Sequence, residues 1–148
     1  MRKIVYILCV LVIFFNVVFF VSCADNRHID RCLLQIEYQN GVVSGSVEYC
    51  FILKSTDNKV LFNLYANQMS EGQNISIKRV TSEECPCDFE LLENSAYLQV
   101  ALPQTIDVGD EVSLRVDFET IIPPSLSRLG RGDITVNLAY FYPVVFER

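Results

Sequence analysis

Two alternating runs between Tyr97 and Pro124 set the pattern from which the rest of the chain is read. Leu98, Val100 and Leu102 fall on one side of the first run, and Val112, Leu114, Val116 and Phe118 on one side of the second. A two-residue period of this kind marks a strand with one buried and one wet face. Gln99, Glu111, Ser113, Arg115, Asp117 and Glu119 take the wet face. Pro103 has no N–H to donate and closes the first run, while Val108-Gly109-Asp110 supplies a reversal. The pattern predicts an antiparallel hairpin whose apolar side lies on another sheet.

The same alternation recurs on either side of this pair. From Cys32 to Gln39, Leu34, Ile36 and Tyr38 oppose Gln35, Glu37 and Gln39. Asn40-Gly41 tolerates φ > 0 at both residues and predicts a tight hairpin into a strand from Val42 to about Leu53. Val43, Val47, Tyr49, Phe51 and Leu53 would face in, with Ser46, Glu48 and Lys54 facing out. Gly45 is expected to mark a bulge or bend. After a turn at 55–59, Val60–Ala66 is apolar on both sides apart from Asn63, which suits a central, doubly covered strand.

Further on, Asn67–Asn74 reads as a loop and Ile75–Val80 as a short strand with Ile75 and Ile77 on one side. Thr81–Asp88 reads as a surface excursion, and Phe89–Leu92 as a brief strand. Past Pro123-Pro124 a loop to Asp133 leads into a last strand, Ile134–Tyr142, with Ile134, Val136, Leu138, Tyr140 and Tyr142 in register. Roughly seven to nine short strands at intervals of about ten residues, with no long 3.6-residue period, predict an all-β chain folded as an antiparallel β-sandwich.

Ahead of this body, Arg2 and Lys3 precede an apolar run, Ile4–Val21, broken only by Asn16. Residues 1–24 therefore read as an export signal. Val21-Ser22-Cys23 resembles a bacterial lipobox with Cys23 as the lipid acceptor, although Phe20 stands where an aliphatic residue is usual. Ser22-Cys23-Ala24 equally satisfies ordinary signal peptidase, and an uncleaved anchor is the third outcome, since the run just reaches bilayer-spanning length. All three place the remainder outside the cytoplasm, and the first anchors it to the membrane at a bacterial cell surface. Residues 25–31 read as a tether and 32–148 as the sandwich domain.

Loss of Arg2 and Lys3 with the signal would take the net charge from −6 to −8. An acidic chain without a Lys or Arg cluster has no footprint for nucleic acid, which is not an expected partner. Cys9 lies in the signal, leaving Cys32, Cys50, Cys85 and Cys87 beside Cys23. An exported domain permits disulfides, and four cysteines allow three connectivities. Pairings that use Cys32 and Cys50 avoid a strained Cys85–Cys87 bridge, and buried thiols fit the same pattern. Cys85-Pro86-Cys87 lacks the spacing of a structural zinc site.

The one histidine, His28, stands in the tether, where it cannot be held against a Ser or Cys nucleophile. Two-histidine metal motifs are ruled out. Glu83 with Glu84 and Asp107 with Asp110 are paired carboxylates, but they sit in turns, where solvation keeps acid and base roles from separating. The expectation is no catalytic residue, no cofactor and no metal. Arg131-Gly132-Asp133 matches an integrin-read tripeptide, yet Gly and Asp before a strand are ordinary turn chemistry. Asn74-Ile75-Ser76 fits an N-glycosylation pattern that seldom applies in a bacterial cell. Tyr97, Phe118, Tyr140, Phe141 and Tyr142 read as core rather than as a ligand platform.

Several of these segments follow one another in a familiar order. Val43-Ser44-Gly45-Ser46-Val47-Glu48-Tyr49, Leu61-Phe62-Asn63-Leu64-Tyr65-Ala66-Asn67, Leu98–Pro103, Val108-Gly109-Asp110, Asp117-Phe118-Glu119 and Ile122-Pro123 together resemble the N-terminal β domain of the aminopeptidase N family of zinc metallopeptidases. Ser127-Arg128-Leu129-Gly130 and Phe141-Tyr142-Pro143 look like the close of that domain in bacterial members. The resemblance covers roughly residues 32–146 and implies a saddle-like β-sandwich that packs on a thermolysin-like catalytic domain. The family's H-E-x-x-H and Gly-x-Met-Glu-Asn segments lie downstream in its order and are absent from this sequence, so no catalytic or zinc-binding position carries over. The expected role is a non-catalytic exported module, a truncated or stand-alone domain that mediates protein interaction, with the apolar residues of 134–142 as its contact surface. Two alternatives stand beside it: the non-catalytic portion of a split or longer zinc aminopeptidase, and a ligand-binding surface lipoprotein. The expected partners are a membrane, through a lipid or signal anchor, and a peptidase catalytic domain or another protein.

Overall fold

The computed structural model describes residues 19–21, 29–54, 56, 58–69, 73–103 and 106–146. Its strands are β1 (Phe19–Val21), β2 (Ile29–Gln39), β3 (Val42–Ile52), β4 (Lys59–Asn63), β5 (Ile75–Ser82), β6 (Cys85–Pro86), β7 (Phe89–Leu92), β8 (Tyr97–Ala101), β9 (Glu111–Ile121), β10 (Leu129–Arg131), β11 (Val136–Leu138) and β12 (Val144–Val145). One helical turn, α1 (Tyr65–Gln68), interrupts them. Among the described residues the strands form a six-stranded sheet in the order β1-β2-β3-β9-β5-β6, a four-stranded sheet β12-β4-β8-β7 and a separate pair β10-β11. All pairings are antiparallel, so the expected all-β, antiparallel fold is the observed one.

Alternation builds the core. Along β9, Val112, Leu114, Val116, Phe118 and Thr120 are buried while their neighbours reach solvent. Val43, Val47 and Tyr49 of β3 join them, and the four-stranded sheet contributes Val60, Phe62, Leu98 and Val100. The sheets meet face to face, with the Tyr49 and Phe62 rings 5.7 Å apart between centroids. Each such apolar side chain taken from water contributes about 1.5–3 kcal/mol.

The expected hairpin between Tyr97 and Pro124 is not formed. β8 pairs with β4 and β7, whereas β9 pairs with β3 and β5, so the two runs lie in different sheets. The apolar faces of both runs are buried as the alternation predicts, because period two sets the face. It does not set the neighbour, and the segment from Leu102 to Asp110 exceeds the about two to five residues of a hairpin loop. The described ends of that segment are pinned by Leu102 N–H to Asn58 O (2.8 Å), Gly109 N–H to Leu53 O (2.8 Å) and Leu53 N–H to Asp110 O (2.9 Å). The tight hairpins are elsewhere. Asn40-Gly41 joins β2 to β3 with φ of 52° and 85°, as expected for this dipeptide. Glu83-Glu84 joins β5 to β6 with φ of 49° and 68°.

Gly45 was expected to bulge, but β3 runs through it in unbroken register, Ile36 and Phe118 lying opposite. A Cβ there would stand 2.2 Å from the Gln35 carbonyl oxygen, so glycine is required for the close approach of β2. The bulge lies instead in β5, where the register against β9 shifts between Ile77 and Arg79. One extra residue resets the parity, so Ile75 and Val80 are both buried, at 1% exposure.

Three further expectations change. The run from Val60 stops as a strand at Asn63, and α1 takes Tyr65–Gln68. Asn67 replaces the lost ladder: its side-chain oxygen accepts from Ile75 N–H (2.8 Å) and its amide donates to Ser95 O (2.8 Å). The predicted strand Ile134–Tyr142 survives only as Val136–Leu138, because Ile134 is 96% exposed and Tyr140 turns to φ 60°. Ile29–Arg31, read as tether, are already strand, with Ile29 opposite Phe51 and Arg31 opposite Cys50. The long β3 offers those ladder partners, which local polarity does not reveal. Residues 1–18 and 22–28 lie outside the described residues, Cys23 and His28 among them.

Candidate interaction surface

Beyond β9 the chain leaves both sheets and forms a two-stranded flap from β10 and β11. The Pro123 carbonyl accepts from Ser125 N–H and from Arg131 N–H, both at 2.9 Å. Ser127 Oγ donates to Leu129 O (2.7 Å), and Asn137 Nδ2 donates to Ser127 O (3.0 Å). Gly130 passes so near Ser125 that a Cβ would stand 2.2 Å from its carbonyl oxygen. Leu129 is the flap's buried anchor.

That backbone arrangement leaves apolar side chains outward. Leu126 is 84% exposed, Ile134 96% and Val136 40%. Shallow hollows flank Leu126, one reaching Arg131 and Asp133, the other reaching Arg128 and Val136. Arg131-Gly132-Asp133 straddles the β10 end, where Gly132 N–H donates to Thr135 O (2.8 Å). The Arg131 guanidinium lies over the Asn40-Gly41 turn, within 2.9 Å of where a Gly41 Cβ would be. The tripeptide therefore spans a strand end and a turn, with its arginine laid on a neighbouring hairpin.

The C-terminal stretch that follows ties the layers together. Tyr49 Oη donates to the Pro143 carbonyl (2.8 Å), and Thr120 Oγ1 donates to the Phe141 carbonyl (2.6 Å). Phe141 packs near Phe118, centroids 6.3 Å apart, and β12 pairs with β4 in the opposite sheet. Burial, and after it the neighbouring Cys32, holds the Tyr49 hydroxyl far above the usual tyrosine value.

Among the described residues no disulfide joins Cys32, Cys50, Cys85 and Cys87. Register puts Cys32 opposite Tyr49 and Cys50 opposite Arg31, on opposite faces of the β2–β3 ladder, where no S–S bond can span the sheet. Arg31 Nη2 donates to Cys50 Sγ (3.3 Å), and Glu48, which shares that face, accepts from Ser113 Oγ (3.0 Å). Cys87 is buried in the core and its thiol is pushed up by burial, while Cys85 is exposed. Among the described residues no three His, Cys, Asp or Glu side chains converge as a metal site.

The paired carboxylates shape turns. Glu83 and Glu84 are exposed in the left-handed region, and Asp110 Oδ2 accepts from Asp107 N–H (2.9 Å). Asn74 donates its amide to Ala66 O (3.1 Å), beside the buried Ile75. Of the aromatics, Phe118 and Phe141 are buried, Tyr97 and Tyr142 half-buried, and Tyr140 is 42% exposed against Tyr65.

These features define an all-β, two-sheet domain with an appended flap. No family model matches the sequence, and no curated protein does. Among solved structures the fold is similar to an M1 zinc metallopeptidase mutant from Deinococcus radiodurans, with a TM-score of 0.43 and 12% identity over 56% of this chain and 17% of that one. Two-domain M1 zinc metallopeptidase mutants bound to L-arginine and to L-tryptophan also score 0.43, at 13% and 12% identity over 60% and 57% of this chain. This chain spans 17–18% of the length of those enzymes.

Proposed function

We propose that this chain is a non-catalytic, exported protein-interaction module, held at the membrane through Cys23, and that the β10–β11 flap is the surface it offers a partner. The observation that carries the reading is the exposure of Leu126, Ile134 and Val136 on a hydrogen-bonded flap outside both sheets. Covering Leu126 and Ile134 in a partner's surface would contribute about 1.5–3 kcal/mol each, with a smaller share from the already half-covered Val136. Fixing them on an ordered hairpin lowers the entropy lost on docking.

Cross-linking in intact cells with a photoreactive group near Val136 is the direct test. A double variant, Leu126→Asp with Ile134→Asp, is expected to fold as the wild type does and to lose the cross-linked partner. Recovery of the same partner at the same yield by the double variant would sink the reading. Export and anchoring are tested separately by the intact mass of the native protein taken from its own membranes. A lipid-bearing chain beginning at Cys23 is expected, and an unmodified chain beginning at Met1 overturns that part.

A further inference from the structure

Sheet edges are where a β domain either blocks or invites another strand, and the edges here differ. The outer edge of β5 is covered by β6 only at Thr81–Ser82, yet it carries the bulge at 77–79 and two cations, Lys78 and Arg79. Bulges and lysines are the usual means of keeping a foreign strand away. The edge of the four-stranded sheet is β7, Phe-Glu-Leu-Leu, with no bulge, proline or lysine.

The backbone of β7 is set for pairing. Ala101 N–H donates to Asp88 O (2.9 Å), so Asp88 and, by alternation, Glu90 bond toward β8. The N–H and C=O of Phe89 and Leu91 then point to the outer edge, beyond which no strand pairs among the described residues. Their side chains share a face with buried Val100 and Leu98 but sit at the rim, 39% and 38% exposed. The site thus pairs two outward backbone donors and acceptors with two half-covered apolar side chains, as strand addition requires.

Charge selects the occupant. From Val80 to Leu114 the sequence contains no Lys or Arg, and Glu83, Glu84, Asp88, Glu90 and Glu93 flank or lie on β7. Lys59, across β8, is the nearby cation. A second copy pairing β7 with β7 would place Asp88, Glu90 and Glu93 of both chains side by side, which like-charge repulsion opposes. We propose that the β7 edge takes an extended, basic segment of a partner protein, its apolar residues beside Phe89 and Leu91 and its Lys or Arg beside Glu90. This goes beyond the flap reading in naming a second contact and its chemistry, and shares with it only that the partner is a protein.

Synthetic peptides test it on the full chain in mild detergent, by fluorescence anisotropy. A labelled Lys-Val-Lys-Val-Lys-Val peptide is expected to bind, more weakly as salt rises, while its Glu-Val counterpart and a backbone N-methylated Lys-Val peptide do not. Leu91→Pro removes an outward N–H without touching the β8 ladder and is expected to lower affinity at least about tenfold. Glu90→Lys, which keeps the backbone, should lower it about three- to tenfold. Ile134→Asp should leave peptide binding unchanged, which separates this edge from the flap. Equal binding of the Lys and Glu peptides, or unchanged affinity in Glu90→Lys, overturns the proposal. A dimer that Leu91→Pro abolishes, with no peptide bound, also overturns it and gives the edge to a second copy.

Discussion

Tyr49 shows how much one buried polar atom can decide. Its hydroxyl donates to Pro143 O from inside the core, and burial keeps it protonated where a free tyrosine would ionise. Below about pH 10 both folded and unfolded chains hold the proton, so stability is unaffected. Above it the unfolded chain releases the proton first, and stability falls by up to about 1.4 kcal/mol per pH unit. Urea titrations between pH 9 and 11 should show that extra slope in the wild type and not in Tyr49→Phe. At pH 7 the same variant should be about 1–2 kcal/mol less stable, since the carbonyl loses its donor. Ser82 is the opposite case: its buried Oγ has no partner among the described residues, so Ser82→Ala should be neutral or stabilising by about 1 kcal/mol in the same titration. Thiol labelling under native conditions should modify Cys85 first and leave Cys50 and Cys87 until the chain unfolds. Spacing alone could not separate these cysteines, because exposure and facing depend on which strands sit above them.

At the scale of the element, local chemistry was legible where it depends on the residue's own conformational preference. Asn40-Gly41 made its hairpin because both residues accept φ > 0 without help. Gly45 was visible as special, but whether a glycine serves a bulge or a close approach depends on the neighbouring strand, and here that is Gln35 of β2. Gly45→Ala should therefore force β2 and β3 apart and cost about 1–3 kcal/mol, read from the denaturation midpoint. The β5 bulge left a trace in the sequence, since Lys78-Arg79 breaks the alternation and puts Val80 out of phase with Ile75 and Ile77. Only pairing with β9 shows that the extra residue is a bulge and not the end of the strand. The end of β4 misled for a related reason. Val60–Ala66 is apolar apart from Asn63, and Leu64 and Ala66 are buried, but at the start of a helical turn and not as strand.

At the scale of the whole molecule, the C-terminal stretch bridges the two sheets through Thr120, Tyr49 and β12. Thr120→Val removes the donor to Phe141 O in a fully buried site and should cost about 1–3 kcal/mol, with faster amide exchange at Val144 and Val145 as the strap loosens. The flap residues Leu126, Ile134 and Val136 were part of the candidate surface only in part: Ile134 and Val136 came from an expected strand that is mostly absent, and Leu126 gave no signal because a lone leucine between serines looks like any loop residue. The β7 edge was equally invisible, since being an edge is a property of strand order. Alternating polarity along this chain determined an all-β fold and which face of β2, β8 and β9 is buried, because side-chain direction in a strand has period two whatever lies beside it. It did not determine that of β3, where Ser46 and Cys50 on the expected outer face are buried as well. Sheet membership, strand order and the exposed edges were decided only by the tertiary structure, because pairing energy comes from contacts between segments far apart in sequence, to which local pattern is blind.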